Sequence, residues 1–473
     1  ARGLQQFPAS RRIRTTLAQV WLALGKPNAA LDIFTKSPDA AAWPKGQTVR
    51  GLADQAIGDT EAARADFDAV LKKLPGYEPA LIARTWIDLA AGELDEARKR
   101  LEPRFNPKSA TAGMLAAYAE IQRLGADPAA RDKAKALLEH AVVGPGADAG
   151  KVQLELARID RDTGDMPGAK TAYAAASRTG NFEARLEAAQ LQLEDKDPGN
   201  GRALLEQLLK DSGDHPPAML ILETARARSL MGAHAGAAEL LALAEKTPNI
   251  VAWQLDRERA RLALRKGDPA GAAQAIGRAL DKCGADLDTF LLAADTISAD
   301  DKQTALGQKL TPLVAARLKG KPEADVIAGK LDLAANKLDD AAAAYTSAKN
   351  ALDKEKATPR RRAQAELGLA AVAYFKRDDP AARSMFDLVL EHDPSIYAAY
   401  LFVAEMQRPK APEDALRNAQ QAAALNPDSL DAWKMVGTLA SQLKKPALLK
   451  DAVTRVGDLA PGSETLKQLQ QLR

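Results

Sequence analysis

Little in this 473-residue chain is equipped for covalent or redox chemistry. It has one cysteine, Cys283, which excludes an internal disulfide framework and a thiolate zinc site of its own. Four histidines, His140, His215, His234 and His392, stand far apart and none belongs to an H-E-x-x-H pattern. No Asp/Glu run has calcium-loop spacing. Gly144-Pro145-Gly146 comes nearest to a glycine-rich loop, but no Lys-Ser/Thr follows it and no strand precedes it, so it reads as a connecting turn. Nothing beside Cys283 would lower a thiol pKa, and helix-end packing accounts for it. The expectation is a non-enzyme with no catalytic residues, no metal and no cofactor.

Other absences narrow the class. No run of 18 apolar residues occurs, so no membrane span is expected. Lys plus Arg, 66, barely exceed Asp plus Glu, 63, which gives no reason to expect a nucleic-acid partner. Aromatics make up 4% and β-branched residues are thin, whereas Ala, Leu, Glu, Lys, Gln and Arg dominate. An all-α fold follows. The lone cysteine fits a reducing compartment, so a cytoplasmic location is expected, with periplasmic or envelope-associated placement as the alternative.

What the chain does contain is repetition. A turn residue is followed five positions later by a small or apolar residue and four later by a bulky one. Examples are Gly58, Ala63, Phe67; Gly92, Ala97, Leu101; Gly164, Ala169, Tyr173; and Gly232, Ala237, Leu241. The series continues with Gly267, Ala272, Ile276; Asn336, Ala341, Tyr345; Arg377, Ala382, Phe386; and Lys444, Leu449, Val453. From Gly25, successive turn residues, including Lys410, are 33, 34, 72, 68, 35, 69, 41, 33 and 34 apart. Each of the three double gaps hides one degenerate unit, and the step of 41 carries a short insertion near Lys354–Pro359. A small residue precedes the turn by about seven positions, as at Ala18, Gly51, Ala157, Ala225, Ala260, Gly329, Ala370 and Gly437. A proline often closes the unit, as at Pro75, Pro248, Pro394, Pro427 and Pro461.

Physically, this describes two short antiparallel helices whose small residues allow close approach, with the bulky residue filling the gap to the next unit. The pattern resembles the tetratricopeptide repeat, most closely from Trp433 through Pro461. The resemblance implies a right-handed α-solenoid of about 12–13 helix pairs. Residues 1–10 are expected to be the tail of a truncated repeat, with Leu4, Phe7 and Pro8 on it. Units 1–4 are placed at 11–142, units 5–8 at 143–286, a degenerate unit at 287–321 and units 10–13 at 322–463. A solvent-facing cap occupies 464–473, with Ser463 as N-cap.

First helices of such arrays line the ligand-facing surface, so function is expected there. Three patches fall on it. Lys151, Arg158, Arg161, Arg226, Arg257, Arg261 and Arg265 make an exposed basic set, the last three a stripe along one helix. It would either pair with acids such as Glu155, Glu223 and Glu258 or recognise an acidic partner. Tyr374, Phe375, Tyr397 and Tyr400 make an aromatic patch. Ile82, Trp86 and Leu89 make a smaller apolar one, in which Trp86 reads as core before anchor. The carboxylate-binding set of chaperone-linked repeats is not reproduced: Thr15, Gln19, Thr48, Leu52, Ile82 and Trp86 stand in its places. Expected is a monomeric, non-enzymatic scaffold for protein or peptide partners, with an acidic partner, a small GTPase or a machine subunit among the options. The Ala/Arg/Gly-rich composition suggests a high-GC bacterium, and in that setting a repeat array this long resembles parts of envelope, motility, polarity or secretion assemblies. The alternative is the recruiting arm of a larger enzyme whose catalytic domain lies upstream of Ala1.

Overall fold

The computed structural model describes residues 10–23, 27–57, 59–125, 127–141, 147–194, 198–213, 216–247, 250–300, 302–355 and 357–472. Leu4, Phe7, Pro8, Gly25, Gly58, Gly144-Pro145-Gly146, His215 and Pro248 lie outside them. Among the described residues there are 27 α-helices and no strand.

Two compact units divide the chain, residues 1–185 and 186–473. The first holds the pairs α1/α2 (Arg11–Ala23, Pro27–Lys36), α3/α4 (Pro44–Ala56, Thr60–Lys73), α5/α6 (Glu78–Ala90, Leu94–Leu101), α7/α8 (Ala112–Leu124, Pro128–Glu139) and α9/α10 (Ala147–Thr163, Met166–Arg178). Helix α11 (Phe182–Leu193) spans the division and pairs with α12 (Gly199–Asp211). The second unit continues with α13/α14 (Ala218–Leu230, His234–Glu245), α15/α16 (Ala252–Arg265, Pro269–Lys282), α17/α18 (Leu287–Ala299, Thr304–Arg317) and α19/α20 (Pro322–Ala334, Leu338–Lys354). It ends with α21/α22 (Pro359–Phe375, Asp379–His392), α23/α24 (Tyr397–Gln407, Pro412–Leu425), α25/α26 (Leu430–Gln442, Pro446–Leu459) and the single α27 (Glu464–Gln471).

The turn residues explain why each pair folds back. Gly92, Gly164, Gly232, Gly267, Asn336, Arg377 and Lys444 all have positive φ, between 55° and 85°. The N–H after each returns to the carbonyl five residues earlier at 2.8–3.0 Å, as from Glu93 to Asp88 and from Lys445 to Ala440, closing the helix in a left-handed C-cap. Lys410, chosen by the same spacing, is not among the positive-φ residues. The next helix starts at once where an aspartate follows: Asp165 and Asp268 accept the N–H of Gly168 and Gly271 at 2.9 and 2.8 Å.

Packing follows the repeat. Ala63, Ala97, Ala169, Ala237, Ala272, Ala341 and Ala382 are buried, as are Phe67, Leu101, Tyr173, Leu241, Ile276, Tyr345 and Phe386. A Cβ on Gly51 would stand 2.8 Å from the Phe67 ring, and one on Gly329 2.9 Å from the Tyr345 ring, so these glycines permit the helix contact. First helices also pack on first helices, α7 on α9, α13 on α15 and α17 on α19, forming a continuous layer within each unit. Cys283 is buried at the end of α16, where burial pushes its thiol pKa up.

Candidate interaction surfaces

In the first unit the first-helix layer forms a groove of about 610 Å³. It is built from α3 (Leu52, Gln55), α5 (Glu78, Ile82, Trp86), α7 (Gly113, Ala116) and α9 (Lys151, Leu154, Glu155, Arg158), with Asn181 and Glu183 at the start of α11. Ile82 and Trp86 are half-buried and pack on the cluster of Leu81, Leu101 and Ile121, while each keeps a face on the groove. Trp86 is thus both core and lining. Leu89 belongs to the buried cluster alone.

The arginines anticipated as a basic set stand in a ladder of acids. Glu and Arg three apart recur on first helices α7, α9, α13 and α15 and at the end of α23: Glu120/Arg123, Glu155/Arg158, Glu223/Arg226, Glu258/Arg261 and Glu405/Arg408, paired at 2.6–3.5 Å. The sequence pattern Glu-x-x-Arg straddles the small residue in three of these helices, and the pairing with Glu155, Glu223 and Glu258 is the one of the two expected outcomes that the structure holds. Its reason is geometric, because positions three apart share a helix face.

In the first unit Arg158 donates to Glu155 at 2.7 Å and to Glu183 at 2.5 Å, and Arg123 joins Glu120 to Asp162. Glu155 is 2% exposed and one of its oxygens, Oε2, has no hydrogen-bond partner. Burial, opposed by Arg158 and reinforced by Glu120, raises its pKa well above the glutamate range. Glu120 is also pushed up by burial, but Arg123 outweighs that and leaves it below its ordinary value. Lys151 is exposed on the groove, and Arg161 is half-buried, 3.9 Å from Asp162.

In the second unit the expected exposed stripe is not exposed. The Arg257 and Arg261 side chains keep only 12% and 16% of their surface, because Glu258, Asp286 and Asp288 draw them onto the layer. Arg257 also lies over the Trp253 ring at 5.5 Å. Burial raises the Asp288 pKa, but Arg261, Arg226 and Arg257 pull it down to about 2. Arg265 donates to Asn426 and stands 3.7 Å from Asp428.

The aromatic patch divides. Tyr374 and Tyr397 line a cavity of about 490 Å³ with Leu401, Phe402, Lys434 and Thr438. Phe375 is 50% exposed and meets Tyr374 and Phe402 edge-on. Tyr400 is the exception to the expected surface strip, 9% exposed within the core cluster of α23–α26. Tyr397, three residues earlier and about 60° round the helix, packs on the edge of the same cluster and keeps a side on the cavity. No group of three or more His, Cys, Asp and Glu side chains placed to hold a metal occurs among the described residues. His234 contacts Asp428 at 3.0 Å, His392 contacts Glu366 at 2.7 Å, and His140 contacts the carbonyl of Ala136. No helix is long and apolar enough to cross a membrane among the described residues.

No family model and no curated protein matches this sequence. Solved structures do. The Cut9–Hcn1 hetero-tetramer of the APC/C matches over 99% of this chain and 91% of that one, at 12% identity and a TM-score of 0.52. Yeast Tom70 matches over 99% and 94%, at 15% identity and a TM-score of 0.36. Thirteen helix pairs with left-handed turns at the spaced positions agree with the first of these likenesses. By its fold, this chain is a tetratricopeptide-repeat-like α-solenoid.

Proposed function

We propose that the chain is a non-enzymatic scaffold that docks segments of partner proteins on its first-helix surfaces, in the setting of a multi-protein assembly, bacterial by its composition. The first-unit groove carries this reading. Five successive first-helix positions contribute to it, and Leu52, Ile82 and Trp86 stay uncovered there. An indole with one apolar face available and its N–H without an acceptor among the described residues suits an anchor in a docking surface. The expected preference for an acidic partner gives way, since the arginines of the ladder are already matched by carboxylates.

The test is a random dodecapeptide display library panned on the full chain. Enriched peptides should lose at least tenfold in affinity for Trp86→Ala, with the circular dichroism spectrum unchanged. Peptides indifferent to Trp86→Ala would remove the groove from the reading.

The second-unit cavity favours a second docking point, because Tyr374 and Tyr397 face it and Phe375 extends it. Tyr374→Ala with Phe375→Ala should lower the affinity of peptides that survive Trp86→Ala. Tyr400→Ala should instead lower the melting temperature, at about 3 kcal/mol for a buried aromatic.

A further inference from the structure

We propose that the second helices of the first unit carry a further docking site, which takes an acidic segment of a partner protein with two carboxylates flanking an aliphatic residue. The site is a cleft of about 400 Å³ lined from α4, α5 and α6, and it shares no residue with the first-helix groove.

A local imbalance sets its charge. Lys72, Arg100 and Arg104 line the cleft, and Asp68 is the one carboxylate among the lining residues. Asp68 is already engaged: it accepts from Arg84 Nε at 3.0 Å and lies 3.7 Å from Arg100. The buried Asp88 accepts from Arg84 and, at 2.9 Å, from Arg100. Arg64 stands 3.9 Å from Asp88 and pairs with Glu93 at 3.2 Å. The carboxylates of Asp68, Asp88 and Glu93 thus answer the guanidiniums of Arg64, Arg84 and Arg100, and Lys72 and Arg104 are left over. Both are exposed, and neither has an ion pair among the described residues.

The two unmatched cations are placed to act together. Lys72 comes from α4 and Arg104 from the short turn after α6. Arg104 Nη1 donates to the Arg100 carbonyl at 2.9 Å, which holds the guanidinium while its other N–H groups stay available to a ligand. An arriving carboxylate therefore meets cations with no partner and displaces no ion pair. An arriving cation would meet two like charges and could reach Asp68 only in competition with Arg84. Like charges set against each other exclude wrong partners, so the cleft selects for acid. The arginines of the Glu-x-x-Arg ladder lack this property because their own carboxylates match them.

Exposed ion pairs alone contribute little affinity, which is why the segment needs an aliphatic residue as well. Half-buried Leu71 and exposed Pro75 offer it a surface beside the buried Leu81. Scale points to a protein segment. A nucleic-acid backbone or an anionic membrane calls for a run of cations, whereas this cleft has two to spare.

The experiment pans a random dodecapeptide display library on the full chain and measures enriched sequences, made synthetically, by fluorescence anisotropy. One enriched class should carry two Asp or Glu around a Leu, Ile or Val. Its members should bind at least tenfold more weakly to the Lys72→Glu, Arg104→Glu double variant and lose affinity as salt rises. They should keep their affinity for Trp86→Ala, and exchanging their aliphatic residue for Ser should weaken them severalfold. Lys73→Glu with Lys108→Glu makes the same change of charge on exposed side chains outside the cleft, and should leave affinity almost unchanged. Melting temperatures should hold in both double variants, since none of the four side chains is buried. The lack of an acidic class would overturn the site. So would an acidic class weakened equally by both double variants, which would assign binding to a diffuse field. An acidic class lost in Trp86→Ala would overturn it by moving the segment to the first-helix groove.

Discussion

The two units are made of the same repeat and are held together differently. In the first, ion pairs link adjacent repeats: Arg14 with Asp39, Arg123 with Asp162, Arg158 with Glu183. In the second, residues more than 150 positions apart also meet. Arg360 reaches Glu194, Arg265 reaches Asn426 and Asp428, and His234 reaches Asp428. Asp428 is the hub of this seam, its side chain 5% exposed and also 3.6 Å from Arg455. Nearest-neighbour packing builds both units, and among the described residues the second adds contacts that close the array on itself. A closed turn exchanges accessible surface for stability, because the closing contacts carry the entropy cost of joining distant repeats.

The largest expected effect breaks the seam. Asp428→Ala removes the only carboxylate described beside Arg265, a guanidinium that burial already holds below its ordinary pKa despite Asp428. Removing one partner of such a pair should cost about 3 kcal/mol. Native-state hydrogen exchange should then show lost protection in α13–α16 and in α24–α26 together, with α3–α10 unchanged. Loss confined to α24 and α25 would mean the seam is incidental to a locally packed turn.

A smaller effect should stay local. Tyr345 fills the space between Gly329 and Gly368, and a Cβ on Gly368 would overlap its ring. Gly368→Ala should cost about 1–3 kcal/mol by overpacking. Protection should fall in α19–α22 and hold at the Asp428 seam. A variant that opened both would show that the second unit melts as one block, and the nearest-neighbour half of the comparison would need revision.

Much of this architecture was legible because small-residue spacing and turn chemistry are local. The left-handed positions at Asn336, Arg377 and Lys444 were found by spacing alone, although none is a glycine. Pairs with no left-handed turn residue among the described ones, such as α7/α8, whose Gly125 has φ −72°, and α17/α18, still form, because tertiary packing of Ile121, Phe290 and Leu310 substitutes for the turn signal. The site was read less well. Arg257 and Arg261 look exposed in a helical projection, yet Asp286 and Asp288 come from the next repeat's start, and only the stacking of repeats brings them there. Tyr397 and Tyr400 lie on one face of a short helix, and the offset of about 60° between them leaves Tyr397 at the cavity edge and Tyr400 inside the core. The seam had no local signature at all, since its partners are joined only by the accumulated turn of five repeats.

The smallest effect concerns the ladder and carries a sign that either outcome decides. Glu155 has a folded-state pKa raised by burial, so the unfolded chain loses this proton first as pH rises. Wild-type stability should therefore decline from the ordinary glutamate range upward until Glu155 ionises in the folded state, and level off beyond that. Glu155→Gln does not titrate. Its amide oxygen can still accept from Arg158, and its NH₂ can donate to the neighbouring Glu120 carboxylate. The variant should be about 1 kcal/mol more stable than wild type at pH 8, and the advantage should vanish by pH 4. Thermal melts of the full chain at both pH values measure it. Asp428→Asn, tested beside it in the second unit, should show no such gain, because Arg265, Arg455 and His234 all face that carboxylate and an amide offers them a weaker acceptor. A Glu155→Gln protein less stable than wild type at pH 8 would mean that the ionised carboxylate supports the first unit as Asp428 supports the second, and the contrast between the two buried acids would fall.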